Sequence, residues 1–169
     1  MRKLLLVLSI LCTALCSSFA QSFPSKNAKF SVGVDLGLPV GNAANGYSFG
    51  IGGSLKYEIP AATNLMVTLS GGYESLNVKT DFFPNSGLPS SFGFIPLKAG
   101  LKYYINDGFF GEGQIGVAIS TESGGGSAFA YAPGAGYTFD NGFEVGVRYE
   151  GWSKQGVLSQ IAARVAFRF

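Results

Sequence analysis

Ser159-Gln160-Ile161-Ala162-Ala163-Arg164-Val165-Ala166-Phe167-Arg168-Phe169 alternates apolar and polar side chains without interruption. Successive side chains of a strand point to opposite faces. Ile161, Ala163, Val165, Phe167 and Phe169 therefore share one face, and Gln160, Ala162, Arg164, Ala166 and Arg168 share the other. The strand ends on its own aromatic, so the apolar face needs a cover from outside the chain, and lipid is the simplest one. The same alternation recurs upstream at short intervals, which is how a membrane-spanning β-barrel reads from sequence.

Working back from this stretch, alternation predicts eight strands, over Lys29–Val40, Gly46–Ile59, Leu65–Ser75, Phe94–Ile105, Phe109–Ser120, Ala128–Phe139, Phe143–Trp152 and Ser159–Phe169. Their connections alternate in character. Val40–Gly46, Leu76–Gly93, Thr121–Ser127 and Ser153–Leu158 are polar or glycine-rich loops, while Pro60–Asn64, Asn106-Asp107-Gly108 and Asp140-Asn141-Gly142 are compact turns. An up-and-down barrel has short periplasmic turns and longer external loops, and the order fits. A three-residue turn with glycine at its left-handed position sets Ile105 opposite Phe109 and Lys102 opposite Glu112, predicting direct contact of the last pair. The matching turn at 140–142 sets Gly134 opposite Arg148 and Ala132 opposite Glu150.

Charge decides which face is inside. Asp35, Lys56, Glu58, Glu74, Lys98, Lys102, Glu112, Glu144, Arg148, Glu150, Arg164 and Arg168 all lie on the polar face, among Gly, Ala and Ser. A soluble lipocalin-like barrel would line its cavity with the apolar face instead, yet that face carries too many bulky groups for a narrow lumen. The interior of an eight-stranded barrel is just wide enough for side chains. The expectation is a plugged lumen with a charge network of Lys56, Glu74, Lys98, Lys102, Glu112, Arg148, Glu150, Arg164 and Arg168. Aromatics gather toward the strand ends as two interfacial girdles: Phe30, Tyr57, Tyr103, Phe109, Phe139, Phe143 and Phe169 at the turn end, and Tyr47, Phe49, Tyr73, Phe94, Phe129 and Tyr149 at the loop end. Trp152 is assigned to a girdle or to the base of a loop.

Residues 1–20 open with Arg2 and Lys3, continue with an apolar run from Leu4 to Leu15, and end in Ser18-Phe19-Ala20, the pattern of a cleaved signal peptide. A short segment, 21–28, then precedes a barrel over 29–169. Both cysteines, Cys12 and Cys16, fall in the leader, so the exported part has no thiol for a disulfide or metal. Without Arg2 and Lys3 the exported part has as many acidic as basic residues, which gives no footprint for nucleic acid. Charged residues make up 13% of the chain and glycine is abundant at 25 residues, which suits a barrel wall better than a wetted surface.

Candidate chemistry is sparse. The chain has no histidine, which removes the commonest general base and a usual zinc ligand. Glu144 with Glu150, or Glu112 with Glu74, are conceivable carboxylate pairs, but pairing with lumen cations accounts for them better. Gly111-Glu112-Gly113-Gln114-Ile115-Gly116 has dinucleotide-fingerprint spacing but sits inside a strand, where no helix start meets a pyrophosphate. Neither cofactor nor metal is expected, and no enzymatic activity. Phe82, Phe83 and Leu88 in the longest loop offer a possible contact for a partner or hydrophobic ligand; packing over the barrel mouth or resting among headgroups is the plainer reading.

Phe94-Ile95-Pro96-Leu97-Lys98-Ala99-Gly100-Leu101-Lys102-Tyr103-Tyr104-Ile105 resembles the middle strand of small outer-membrane β-barrel proteins of the "porin family", akin to OmpA- and OmpX-type barrels, and Val165-Ala166-Phe167-Arg168-Phe169 is similar to their C-terminal assembly signal. The resemblance covers the whole chain. It implies an all-β, eight-stranded antiparallel transmembrane barrel in a Gram-negative outer membrane, surrounded by lipid and inserted by the barrel-assembly machinery through Phe167 and Phe169. Small members are commonly plugged, despite the family name. A peptidoglycan-binding domain like that of OmpA is not expected to follow. The role implied is structural or surface-exposed; the alternative is a binding or transport barrel, acting in adhesion through its loops or passing a small hydrophobic ligand. No external partner is specified.

Overall fold

A strand with one charged face and one greasy face cannot satisfy both in one solvent, and a sheet of such strands cannot leave its edges unpaired in hydrocarbon. Closure of the sheet on itself meets both demands. In the computed structural model, which describes residues 28–79, 90–122, 124–154 and 156–169, the strands are β1 (Lys29–Val40), β2 (Tyr47–Ala62), β3 (Leu65–Val78), β4 (Ser91–Tyr104), β5 (Phe109–Ser120), β6 (Ser127–Thr138), β7 (Phe143–Ser153) and β8 (Val157–Arg168), with one helical turn, α1 (Ala43–Gly46), between β1 and β2. Each strand pairs antiparallel with its sequence neighbours, and β8 returns to β1 to close the barrel. The seam sets Val165 beside Val34, and Arg164 beside Asp35. Residues 1–20, expected to form a leader, most of segment 21–28, and Phe82, Phe83 and Leu88 lie outside the described residues.

The greasy face is outward on every strand. Leu38 is 63% exposed and Ile115 61%, whereas Lys102 and Glu58, on the inner face, are wholly buried. No helix among the described residues is long and apolar enough to cross a membrane; the strands make the crossing.

Turn chemistry fixes the hairpins, though not always as expected. Ile105 and Phe109 face one another, with the Ile105 N–H donating to the Phe109 carbonyl at 2.8 Å, and Lys102 pairs in register with Glu112. The device is an Asx turn: Asn106 Oδ1 accepts from the Phe109 N–H at 2.8 Å and the Gly108 N–H at 3.3 Å. Gly108 is not left-handed; it is needed because a Cβ there would lie 2.5 Å from the Tyr137 ring. In the other turn glycine does supply the left-handed residue, Gly142 at φ 90°, and Gly134 pairs with Arg148 in the resulting register.

Two further expectations change. Pro60–Asn64 is not all turn: β2 continues through a bulge after Pro60 to Ala62, and Thr63 with left-handed Asn64 makes the reversal. The loop expected over Leu76–Gly93 is shorter at both ends, because Leu76 pairs with Phe92 and Asn77 with Ser91. Pairing lapses twice beside prolines: between β3 and β4 from Gly71/Leu97 to Glu74/Phe94, next to Pro96, and between β6 and β7 from Tyr131/Gly151 to Gly134/Arg148, next to Pro133. Proline has no N–H to give to the ladder.

Candidate functional site: an ion-paired lumen under an apolar cup

The inner face holds two layers. Nearer the turn end, Glu144 of β7 is the hub of the first. It accepts from Lys102 Nζ, from Lys56 Nζ at 3.2 Å, from Arg164 Nη1 at 3.2 Å and from the Thr138 hydroxyl at 3.2 Å. Lys102 also donates to Glu58 at 2.8 Å, Lys56 to Glu112 at 2.8 Å, and Arg168 lies 3.6 Å from Glu58. Phe110, inside the barrel, presents its ring 3.9 Å from Lys102 Nζ, a cation–π contact in a desolvated place. A second knot centres on Arg148, which bridges Asp35 and Glu150 at 2.7 Å each, while Lys98 donates to Glu150 at 2.6 Å. Ser54 joins the knots, accepting from Arg164 at 3.0 Å and donating to Asp35.

These pairs correct one expectation. Lys102 and Glu112 are opposite in the ladder, yet no ion pair joins their side chains; Lys102 reaches across the lumen to β2 and β7, and Glu112 is taken by Lys56. In a narrow barrel the partner of a long side chain is often a strand opposite, not a strand adjacent. Among the described residues Glu74 has no cation partner; its carboxylate accepts from Gln160 Nε2 at 2.7 Å. Asp35, Glu58 and Glu144 join the network at its centre although the sequence reading placed them only on the polar face.

Burying ions is costly unless each is paired and hydrogen-bonded. Here Lys56, Lys98, Lys102, Arg148, Arg164 and Arg168 face Asp35, Glu58, Glu112, Glu144 and Glu150, and little space is left between them. The residual cavity is about 50 Å³, enough for a few waters at most. Glu112 Oε1, without a protein partner, is among groups such a water would satisfy.

Toward the loop end the interior turns apolar. Leu76, Ala118, Ala130 and Trp152 form a buried cluster with Tyr47, Phe94, Ala128 and Leu158 packed against it. The Phe94 and Trp152 rings are 4.8 Å apart, tilted by 48°. Trp152 Nε1 donates to Glu150 at 3.0 Å, riveting this layer to the ionic one below. Tyr47, Phe94, Ala118, Ala128, Trp152 and Leu158 of this group line a cup of about 380 Å³ open toward the loops. The expectation that Tyr47 and Phe94 belong to an outer girdle is therefore corrected, and of the two places expected for Trp152 it takes the base of a loop, on the inner face. Phe94 has the parity of Lys98 and Lys102, and Trp152 that of Arg148 and Glu150, so strict phasing would have placed both inside. Tyr47 carries no such signal: an irregularity between Tyr47 and Phe49 turns it inward.

The other candidates fall into place around this interior. Glu144 and Glu150 are each held by cations and belong to different knots, and the Gly111–Gly116 spacing lies within β5. Phe167 and Phe169 stack edge-on at 5.1 Å on the outer face, and the Phe169 N–H donates to the Phe30 carbonyl at 2.8 Å.

A closed antiparallel cylinder, greasy outside and ion-paired within, is a membrane-spanning β-barrel. The chain belongs to the outer membrane protein beta-barrel domain family, whose model matches residues 6–169, and it is a protein of the outer membrane. No curated protein sequence matches it significantly. Among solved structures it is similar to Ail, the attachment invasion locus protein of Yersinia pestis, at 21% identity and a TM-score of 0.58 over 84% of this chain and 97% of that one. It is similar also to the outer membrane enzyme PagL, at 19% identity and a TM-score of 0.57 over 81% and 98% of the two chains. A de novo designed transmembrane β-barrel matches at 16% identity and a TM-score of 0.54 over 83% and 95%. At such identities the likeness is one of fold.

Proposed function

We propose that this protein is a structural barrel whose lumen conducts no ions and whose working surface is the set of connections at its loop end, turned to the outside. The ionic layer carries this reading. Glu144 alone is held by Lys56, Lys102 and Arg164, and the space left among the charges is about 50 Å³. The same layer supports a non-enzymatic role, since it ties down the lumen acids Glu144 and Glu150. PagL shares the fold, and a fold does not carry an activity with it. Planar-bilayer recording tests the reading: a silent bilayer with inserted, folded protein is the expected result, and steady channel steps overturn it.

Export by a cleaved leader over 1–20 belongs to the same proposal, as does recognition of Phe167 and Phe169 by the assembly machinery. Phe169 is 65% exposed on the lipid side and forms the last rung of the seam, a suitable handle for a chain still being inserted. Phe169→Ser is expected to lower the amount recovered in the outer-membrane fraction, and unchanged levels count against the signal.

A second reading, adhesion, has support from the likeness to Ail, which is named for attachment and invasion and has also been solved with the heparin analogue sucrose octasulfate. Lys79 and Lys154 supply positive charge at the loop end. Binding of folded protein to immobilised heparin, lost when Lys79 and Lys154 are both replaced by Gln, would favour it; absence of binding would leave the structural reading alone.

A further inference from the structure

The cup at the loop end has an apolar wall and, among the described residues of its lining, one charge, and the structural reading uses neither. Tyr47, Phe94, Trp152 and Leu158 provide the wall. Below, the Trp152–Glu150 hydrogen bond and the ionic layer close it. Water resting on such a wall gains little hydrogen bonding, so the cup favours an apolar occupant. It lies inside the barrel and opens among the loops, away from the lipid-facing wall, so that occupant comes from the aqueous medium.

Charge narrows the class. Lys154 is the one charged side chain among the described residues of the lining. Its Nζ donates to the Gly125 carbonyl at 2.6 Å and lies 2.8 Å from where a Gly126 Cβ would stand, so the ammonium sits at the rim with further protons to give. Three of the wall residues are aromatic, which favours a ring that can stack or meet them edge-on. About 380 Å³ exceeds the roughly 150 Å³ void that takes up benzene, leaving room for a ring and its substituents.

We propose that the cup is a binding site for a small aromatic anion, its ring against Phe94 and Trp152 and its carboxylate or sulfonate at Lys154. The site is blind: it binds and does not pass its ligand onward. It goes beyond the structural reading, and it differs from the adhesive reading, with which it shares Lys154, in requiring the apolar wall.

Trp152 is the only tryptophan of the chain and stands in the wall, so its fluorescence reports occupancy. Protein in lipid nanodiscs is titrated with 4-nitrobenzoate, whose ring quenches indole, and in parallel with neutral nitrobenzene. Saturable quenching is expected, with 4-nitrobenzoate bound more tightly than nitrobenzene. Ala128→Phe, which fills the cup, is expected to weaken both by at least about tenfold. Lys154→Gln is expected to weaken 4-nitrobenzoate by roughly tenfold and leave nitrobenzene unchanged. Heat-dependent gel mobility verifies folding, and Lys154→Gln, on an exposed loop, decides the question alone if Ala128→Phe does not fold. Quenching that rises linearly without saturation, or that Lys154→Gln leaves the same for both probes, overturns the proposal.

Discussion

The two layers of the lumen are built by the same strands yet obey opposite rules. In the ionic layer no residue can be judged by itself: Glu144 is tolerable only because Lys56, Lys102 and Arg164 surround it. In the apolar layer Trp152, Leu76 and Phe94 are interchangeable in kind, each adding contact area. The ionic layer occludes and specifies, and the apolar layer lines an open cup. The indole N–H on Glu150 joins them.

The sharpest way to break this contrast is to take the hub from the ionic layer. Glu144→Leu leaves Arg164 without a carboxylate among the described residues and takes one of their acids from Lys56 and Lys102, and it is expected to cost about 3–5 kcal/mol, the range for broken buried ion pairs, read by urea unfolding in detergent micelles. A loss under about 1 kcal/mol would mean that water reaches the layer freely. Next comes the apolar side. Trp152→Ala is expected to cost about 3 kcal/mol, the low end for such truncations, because the open cup lets water into the space. A loss as large as that of Glu144→Leu would make the joint with Glu150 the dominant part.

A smaller effect separates contact from ladder register. A double-mutant cycle on Lys102 and Glu144 should give a coupling of about 2 kcal/mol, and one on Lys102 and Glu112 under about 0.5 kcal/mol. The reverse order would restore the cross-strand pair. Smallest of all should be Glu74→Gln, expected within about 1 kcal/mol of wild type, since no cation depends on that carboxylate and the amide keeps an acceptor for Gln160. A loss matching Glu144→Leu would show that Glu74 serves the network at longer range.

The sequence disclosed most of the cylinder, for a physical reason. Period-two alternation is forced on any strand between lipid and lumen, so Lys29–Val40 and Phe109–Ser120 can be marked to the residue. Tight turns carry register locally, so Lys102/Glu112 and Gly134/Arg148 are legible as ladder pairs. What could not be read is what crosses the lumen. Lys102 meets Glu58 and Glu144 through space set by the curvature of the whole sheet, and no local spacing encodes it. The apolar layer is hidden differently: aromatics near strand ends look like girdle residues, and only their parity with the lumen charges turns Phe94 and Trp152 inward. Tyr47 needed a bulge that no residue announces.

The junction of β8 with β1 has one more consequence. Residues from opposite ends of the barrel sequence meet there, so the cylinder stays an open sheet until its final strand arrives. A slip of a single position at that moment would exchange the two sides of β8 and push Arg164 and Arg168 into hydrocarbon, at about 2–4 kcal/mol for a guanidinium at mid-depth. Arg164 guards against the error, because only the correct alignment brings its guanidinium to the Ser31 hydroxyl on β1, 3.2 Å away, and to Ser54 beyond it. An arginine that helps obstruct the lumen also proofreads the last step of closure.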